Sequence, residues 1–209
     1  MRKKSCERRV ITAESYLPPE VATDPAPGWL SGERGEHVET PCRTRHNGRV
    51  SQEIHPSAVK VATFLAEAGH PHEVVMLPVT GRTAADAATA LGVELGQIAK
   101  SIVFRRKDDD AAVLVVTSGD LRVDEKKVAA LVGKLGRADA DFVKAATGFS
   151  IGGVSPVAHT TPPVILIDRE LFRYAEIWAA AGHPYAVFPL SPQELVELTG
   201  APVAEVAAV

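Results

Sequence analysis

The sequence is poor in the features that usually mark a site. Its two cysteines, Cys6 and Cys42, form no CxxC pair, so neither a disulfide framework nor a cysteine-based zinc site organises the chain. No apolar run approaches the roughly 18 residues that a membrane-spanning helix needs. The basic first residues are not followed by the apolar stretch of a secretion signal, and a cytoplasmic location is expected. His55, His70, His72, His159 and His183 show neither metal-ligand spacing nor an HExxH pattern. No GxSxG elbow, no GxGxxG after a strand and no P-loop is present. A surplus of cations is lacking as well. Residues 1–50 carry 9 Lys or Arg against 7 Asp or Glu, whereas residues 51–209 carry 14 against 19. An acidic globular part argues against a broad phosphate-tracking surface for DNA or RNA, so a nucleic acid would be gripped at a short end by a few placed groups.

What is present is an ordinary globular composition, 45% apolar and 23% charged, in a chain long enough for one well-cored domain with a tail. Residues 1–50, with five prolines, four glycines and no sustained period, read as a flexible or disordered extension, and Trp29 in it as an exposed tail aromatic. Residues 51–209 read as the domain. From Ser57 a helix is expected, with Val59, Ala62, Phe64, Leu65 and Ala68 at helical spacing and Gly69 as its stop. Residues 72–77 read as a strand that Pro78 ends. Thr83 should cap a helix that Gly92 closes. Residues 100–107 and the apolar run from Ala111 should form an antiparallel hairpin across the acidic turn Asp108–Asp110. Asp124 should cap a third helix with Val128, Leu131 and Val132 inward. A short strand near Ala138–Ala140, a helical turn from Asp141, strands over 163–168, 176–182 and 184–190, and a closing helix capped by Ser191 complete the pattern. Hairpins mixed with crossovers indicate a mixed α+β (α/β) fold, a single mixed sheet of about six or more strands with flanking helices, rather than a doubly wound one.

Two stretches could carry chemistry. In GFSIGGVSP (148–156) three glycines allow the backbone to approach a ligand oxygen closely; the alternative is a tight turn between a helix and a strand. In the strand 98–104, Lys100 shares a face with Ile102 and Phe104 and could present its ammonium to an anion; the alternative is a stem that snorkels past the sheet edge into water. Asp168 reads as a cap for the turn that follows, and Asp124 and Glu125 as a helix N-terminus. No nucleophile stands out, and the residues alone name no reaction.

The run TAADAATALGVELGQIAKSIVF, the block TGFSIGGVSP and the ending EIWAAAGHPYAVFPLSPQELVELTG together resemble the YbaK-like aminoacyl-tRNA deacylases, relatives of the editing domain inserted in bacterial prolyl-tRNA synthetases. The resemblance covers about residues 53–205. It implies a mixed-sheet domain, with neither metal nor cofactor, that acts in trans to hydrolyse the ester joining a wrong amino acid to the 3′ end of a tRNA, as in Cys- or Ala-tRNA(Pro)-like substrates. The family's lysine falls on Lys100 and its G-x-x-x-P loop on Gly152 to Pro156. By this resemblance Lys100 and the amides of Gly152 and Gly153 are the expected catalytic groups, with Ser101, Phe149, Ser150, Ile151, Val154, Ser155 and Pro156 around the substrate. The ammonium would face phosphate or a developing oxyanion, and the amides the ester carbonyl. A neighbouring ribose hydroxyl would help to activate water. The implied partners are the aminoacyl-tRNA 3′ end and a synthetase or other carrier that delivers it. A non-catalytic module that binds a tRNA end or small metabolite beside a synthetase is the alternative.

Overall fold

A computed structural model describes residues 9–11 and 54–208. Its core is a mixed nine-stranded sheet in which eight strands run in the order β1-β2-β9-β8-β3-β4-β7-β10, with β6 also paired to β3. The strands are β1 (Arg9–Ile11), β2 (Val74–Met76), β3 (Ile98–Arg106), β4 (Ala112–Ser118), β5 (Arg122–Val123), β6 (Leu135–Arg137), β7 (Val164–Asp168), β8 (Ile177–His183), β9 (Ala186–Leu190), β10 (Val203–Ala204) and β11 (Ala207–Ala208). β5 and β11 form a separate antiparallel pair. The expected mixed fold is present, and the β3–β4 hairpin lies mid-sheet as its long apolar runs required. In the extension, residues 9–11 add an antiparallel edge strand to β2; the remaining expectations for residues 1–50, including Cys6, Trp29 and Cys42, fall outside the described residues.

The five α-helices among the described residues begin and end on local chemistry. α1 (Pro56–Glu67) starts at His55, whose Nδ1 accepts from the Ser57 N–H, and its chain reverses at Gly69. α2 (Ala84–Leu91) has a capping box between Thr83 and Asp86 and a left-handed Gly92. α3 (Glu125–Val132) is capped by Asp124, α4 (Ala140–Thr147) by Asp139, and α5 (Pro192–Thr199) by Ser191 with proline in its first turn.

Two helix faces differ from the expected ones. On α1 the buried positions are Ala58, Val61 and Leu65, while Val59, Ala62 and Phe64 sit at the margin and Ala68 is exposed. On α3 Val128 is fully buried but Leu131 is 57% exposed. Val132 is partly buried against the cluster of Val113, Val115, Leu166 and Val206 under this helix, and Leu131 projects past it. The strand expected near 138–140 lies at 135–137 instead, because Phe104, Arg105 and Arg106 of β3 set its register.

The sheet buries apolar side chains on both faces. Ala99, Leu114, Val116, Ala179, Ala181 and Phe188 pack with α1, α4 and α5. Ile98, Trp178 and Val187 pack under α2. Fully burying a side chain such as Phe188 or Leu114 is worth about 1.5–3 kcal/mol. Pro189 is tolerated in β9 because β2 pairs only with Ala186 and Val187, and the Pro189 carbonyl accepts from His70 Nε2 at 3.1 Å. No helix among the described residues is long and apolar enough to cross a membrane.

Candidate active site

The feature that positions the site is a split in the sheet. β3 is paired along one edge by β4 from Ala99 to Arg105. Its other edge is shared: β8 pairs in parallel only with Ile98 and Ala99, and β6 takes Phe104 to Arg106. Residues 100–103 therefore have no strand partner on that edge, a notch in the pairing bordered by the rest of β8 with its irregularity between Ala180 and His183. A gap between strands that share one sheet is a natural ligand crevice, since it exposes backbone donors and acceptors that no neighbour uses.

Lys100 begins this unpaired stretch, but its side chain leads toward the other edge, where β4 ends. The turn after β4 holds its half-buried ammonium: Nζ donates to Gly119 O at 3.2 Å and to Leu121 O. Ser118 Oγ lies 2.6 Å from both Gly96 O and Asp120 Oδ1, and Arg173 ion-pairs with Asp120 at 2.9 Å, so that turn is braced from two sides. Burial lowers the Lys100 pKa below the ordinary lysine value, opposed by the charge of Asp120, deepened by Arg122 and opposed again by Asp168. Asp168 accepts from Thr117 Oγ1 at 2.6 Å and caps the 3-10 turn Arg169–Arg173, as its position at a strand end implied.

The glycine loop follows α4, which ends at the left-handed Gly148. Phe149, Val154 and Val157 pack into the α1-side core, and Ser155 is fully buried. Gly152 has φ +91°, and a Cβ there would lie 3.6 Å from Arg82 O; one on Gly153 would meet His183 Cα and C at 2.9 Å. Ser150 and Ile151 are exposed at the tip.

Lys100 and this loop, expected as catalytic groups around one ester, do not share a face of the sheet. Register places Lys100 with Thr117, Ile102 with Val115 and Phe104 with Val113 on one face. Ser101 and Val103 face the other way, where Phe149 and Val154 pack. The lysine and the loop thus reach the sheet from opposite faces, and the start of α2 links them. Ala84 lies beside Gly119, where an added Cβ would come within 3.2 Å of its methyl, and Arg82, two residues earlier, lies against Gly152. The Gly153 N–H is not free for a ligand, since it donates to Ser150 O at 3.0 Å. Among the described residues no acceptor is found for the N–H groups of Gly152, Val154 and Ser155. An unpaired buried amide costs about 1–3 kcal/mol, a cost that a ligand oxygen removes. The Ser101 Oγ is likewise buried and without a partner among the described residues, as is Thr80 Oγ1, which sequence reasoning missed.

A cleft of about 620 Å³ runs beside the loop's end, between α1 and α5, and includes Lys60, Phe64, Pro156 and His159 but not Lys100. His159 Nε2 donates to Ser155 O at 2.8 Å, which fixes that nitrogen as the protonated one. Burial lowers the His159 pKa from the ordinary 6.5; the Ser155 carbonyl opposes this and Lys60 adds to it. Above pH 6.5 the ring is neutral in both folded and unfolded chains. Below it the unfolded chain binds the proton first, so the protein should lose stability as pH falls from 6.5 through the depressed folded value. His159→Gln, which keeps an N–H donor, should flatten the fall in urea midpoint between pH 7 and 5; an unchanged slope would assign it to other groups.

The model of the aminoacyl-tRNA editing domain family matches residues 79–198, which include Lys100 and the whole glycine loop. The solved structure of a candidate trans-editing enzyme for prolyl-tRNA synthetase superposes with a TM-score of 0.70 at 44% identity, covering 75% of this chain and 99% of that one. YwhH of Bacillus subtilis, an uncharacterised protein, is 31% identical over 144 residues, 68% of this chain and 91% of its own length. EbsC of Enterococcus faecalis, a candidate Cys-tRNA(Pro)/Cys-tRNA(Cys) deacylase, is 29% identical over 126 residues, 59% of this chain and 76% of its own.

Proposed function

Since the chain belongs to the aminoacyl-tRNA editing domain family, we propose that it is a trans-acting, metal-independent hydrolase of the cytoplasm that removes a wrong amino acid from mischarged tRNA. The observation that carries the reading is the family match over 79–198, which spans both the Lys100 notch and the glycine loop. Cys-tRNA(Pro)- and Ala-tRNA(Pro)-like esters are the proposed substrates, the first in keeping with the description of EbsC and both with a setting beside prolyl-tRNA synthetase, as in the trans-editing structure. A synthetase or another carrier would deliver them, since residues 51–209 are acidic.

In the reaction, water adds to the ester carbonyl carbon, the bond to the ribose oxygen breaks, and a proton passes to that oxygen, giving free amino acid and uncharged tRNA. The groups that would steady the developing oxyanion are the amide of Gly152, joined by those of Val154 and Ser155 in place of the engaged Gly153. Lys100 spends two of its three donors on Gly119 O and Leu121 O, leaving one for a phosphate or oxyanion. Ser101, Phe149, Ser150, Ile151 and Pro156 would surround the aminoacyl end.

A panel of mischarged tRNAs tests this. Release from Cys- or Ala-tRNA(Pro) should exceed release from Pro-tRNA(Pro) by about tenfold or more, the scale on which a small pocket sorts methylenes. The engagement of Lys100 by two carbonyls favours one rival, a non-catalytic module. Tight binding without turnover across the panel would establish that rival instead.

A further inference from the structure

Beside the glycine loop, three further segments form a continuous rim. The Gly81 N–H donates to Pro184 O at 2.7 Å and the Leu77 N–H to Tyr185 O at 2.6 Å, tying residues 77–82 to the β8–β9 turn. Gly153 lies against the His183 backbone and Gly152 against Arg82. On this rim three rings stack in sequence: His55 on His183, with centroids 4.5 Å apart and planes at 20°, and His183 on Tyr185, at 5.6 Å and 22°. Arg82 is exposed and has no ion-pair partner among the described residues. Ile151 on the loop's tip is 60% exposed and Val79 55%, two large apolar side chains left in solvent on adjoining segments. Nothing among the described residues uses the outward side of this combination.

The geometry points to this rim as the platform for the single-stranded 3′ end of the tRNA, with the outer rings Tyr185 and His55 stacking bases, His183 backing both, and Arg82 holding a phosphate. The inference rests on the editing reading for its biological setting, but the chemistry is that of single-strand binding in general: flat rings that accept any base, and a cation that tracks the backbone. It also explains how an acidic domain can hold a nucleic acid at all. A duplex needs a broad cationic face, which a net charge of −5 over residues 51–209, from 14 cations against 19 acids, does not provide; an unpaired end needs only rings and one or two charges.

The test uses the whole chain and a fluorescent five-nucleotide RNA ending in CCA, read by anisotropy against a blunt RNA duplex. The single strand should bind at least tenfold more tightly than the duplex. Tyr185→Ala should weaken it about tenfold, with Tyr185→Phe close to the original protein, because the ring and not the hydroxyl makes the stack. Arg82→Ala should weaken binding and make the slope of log K against log salt shallower by about 0.7, the value for one phosphate on a single strand. Arg82 is exposed, so its variant decides the matter if Tyr185→Ala melts early. Equal binding by Tyr185→Ala and Arg82→Ala, or a preference for the duplex, overturns the platform. In deacylation assays, Tyr185→Ala should raise KM and leave kcat near the original value. Turnover with an unchanged KM would remove the platform and keep the hydrolase; binding of the pentamer without turnover of any mischarged tRNA would keep the platform and remove the hydrolase.

Discussion

Lys100→Ala is expected to lower single-turnover release of amino acid from a mischarged tRNA by about 10²–10³-fold, the usual loss when one preorganised donor to developing charge is removed. The fold should survive. Lys100 is half-buried at a strand end, and its loss leaves Gly119 O and Leu121 O without their shared donor. Two partly exposed carbonyls that water can reach should cost about 1 kcal/mol, or roughly 2–4 °C in Tm for a domain of this size. Lys100→Arg separates charge from shape. The guanidinium keeps the charge, but its planar fork cannot fit the same pair of carbonyls as a compact ammonium does. Activity should therefore stay low in Lys100→Arg as well. Full release by Lys100→Ala would take Lys100 out of the mechanism, whatever becomes of the loop.

The parts of this site legible in the sequence are those set by neighbouring residues. Thr83, Asp124 and Ser191 cap helices, and Gly92, Gly148 and Gly200 end them in the left-handed conformation, because each uses only groups within about four positions. The alternation in β3 correctly put Lys100 on the face of Ile102 and Phe104. What could not be read is what distant pairings decide. The notch exists because β6 and β8, some forty residues apart, claim different stretches of one edge of β3. No local pattern encodes that division. The same pairings turn the lysine away from the loop's apolar side chains, so the two occupy different walls, linked by Ala84 and Arg82. Leu131 shows the converse failure. Its helical spacing was right, but the patch available to α3 ended before it.

Gly153→Ala should be the most damaging change in the loop, and the comparison with its neighbours isolates why. Gly153 is not among the residues of positive φ, so alanine there meets no backbone penalty of its own. The obstacle is space: the new methyl would stand 2.9 Å from His183 Cα and C and 3.0 Å from its N, all backbone atoms of a paired strand. Since β8 is held by β9 and β3, the loop must yield rather than the strand, shifting the amides of Gly152, Val154 and Ser155. A displacement near 1 Å at a reacting centre costs about 10²-fold in rate, and overpacking of this kind costs about 1–3 kcal/mol of stability. Gly200→Ala supplies the contrast, with φ +63° but nothing within 4 Å of the added methyl. It should lose about 1 kcal/mol through backbone strain and keep full release. If Gly153→Ala released amino acid as fast as Gly200→Ala, the position of the loop amides would not matter to the chemistry, and the oxyanion would have to be held elsewhere.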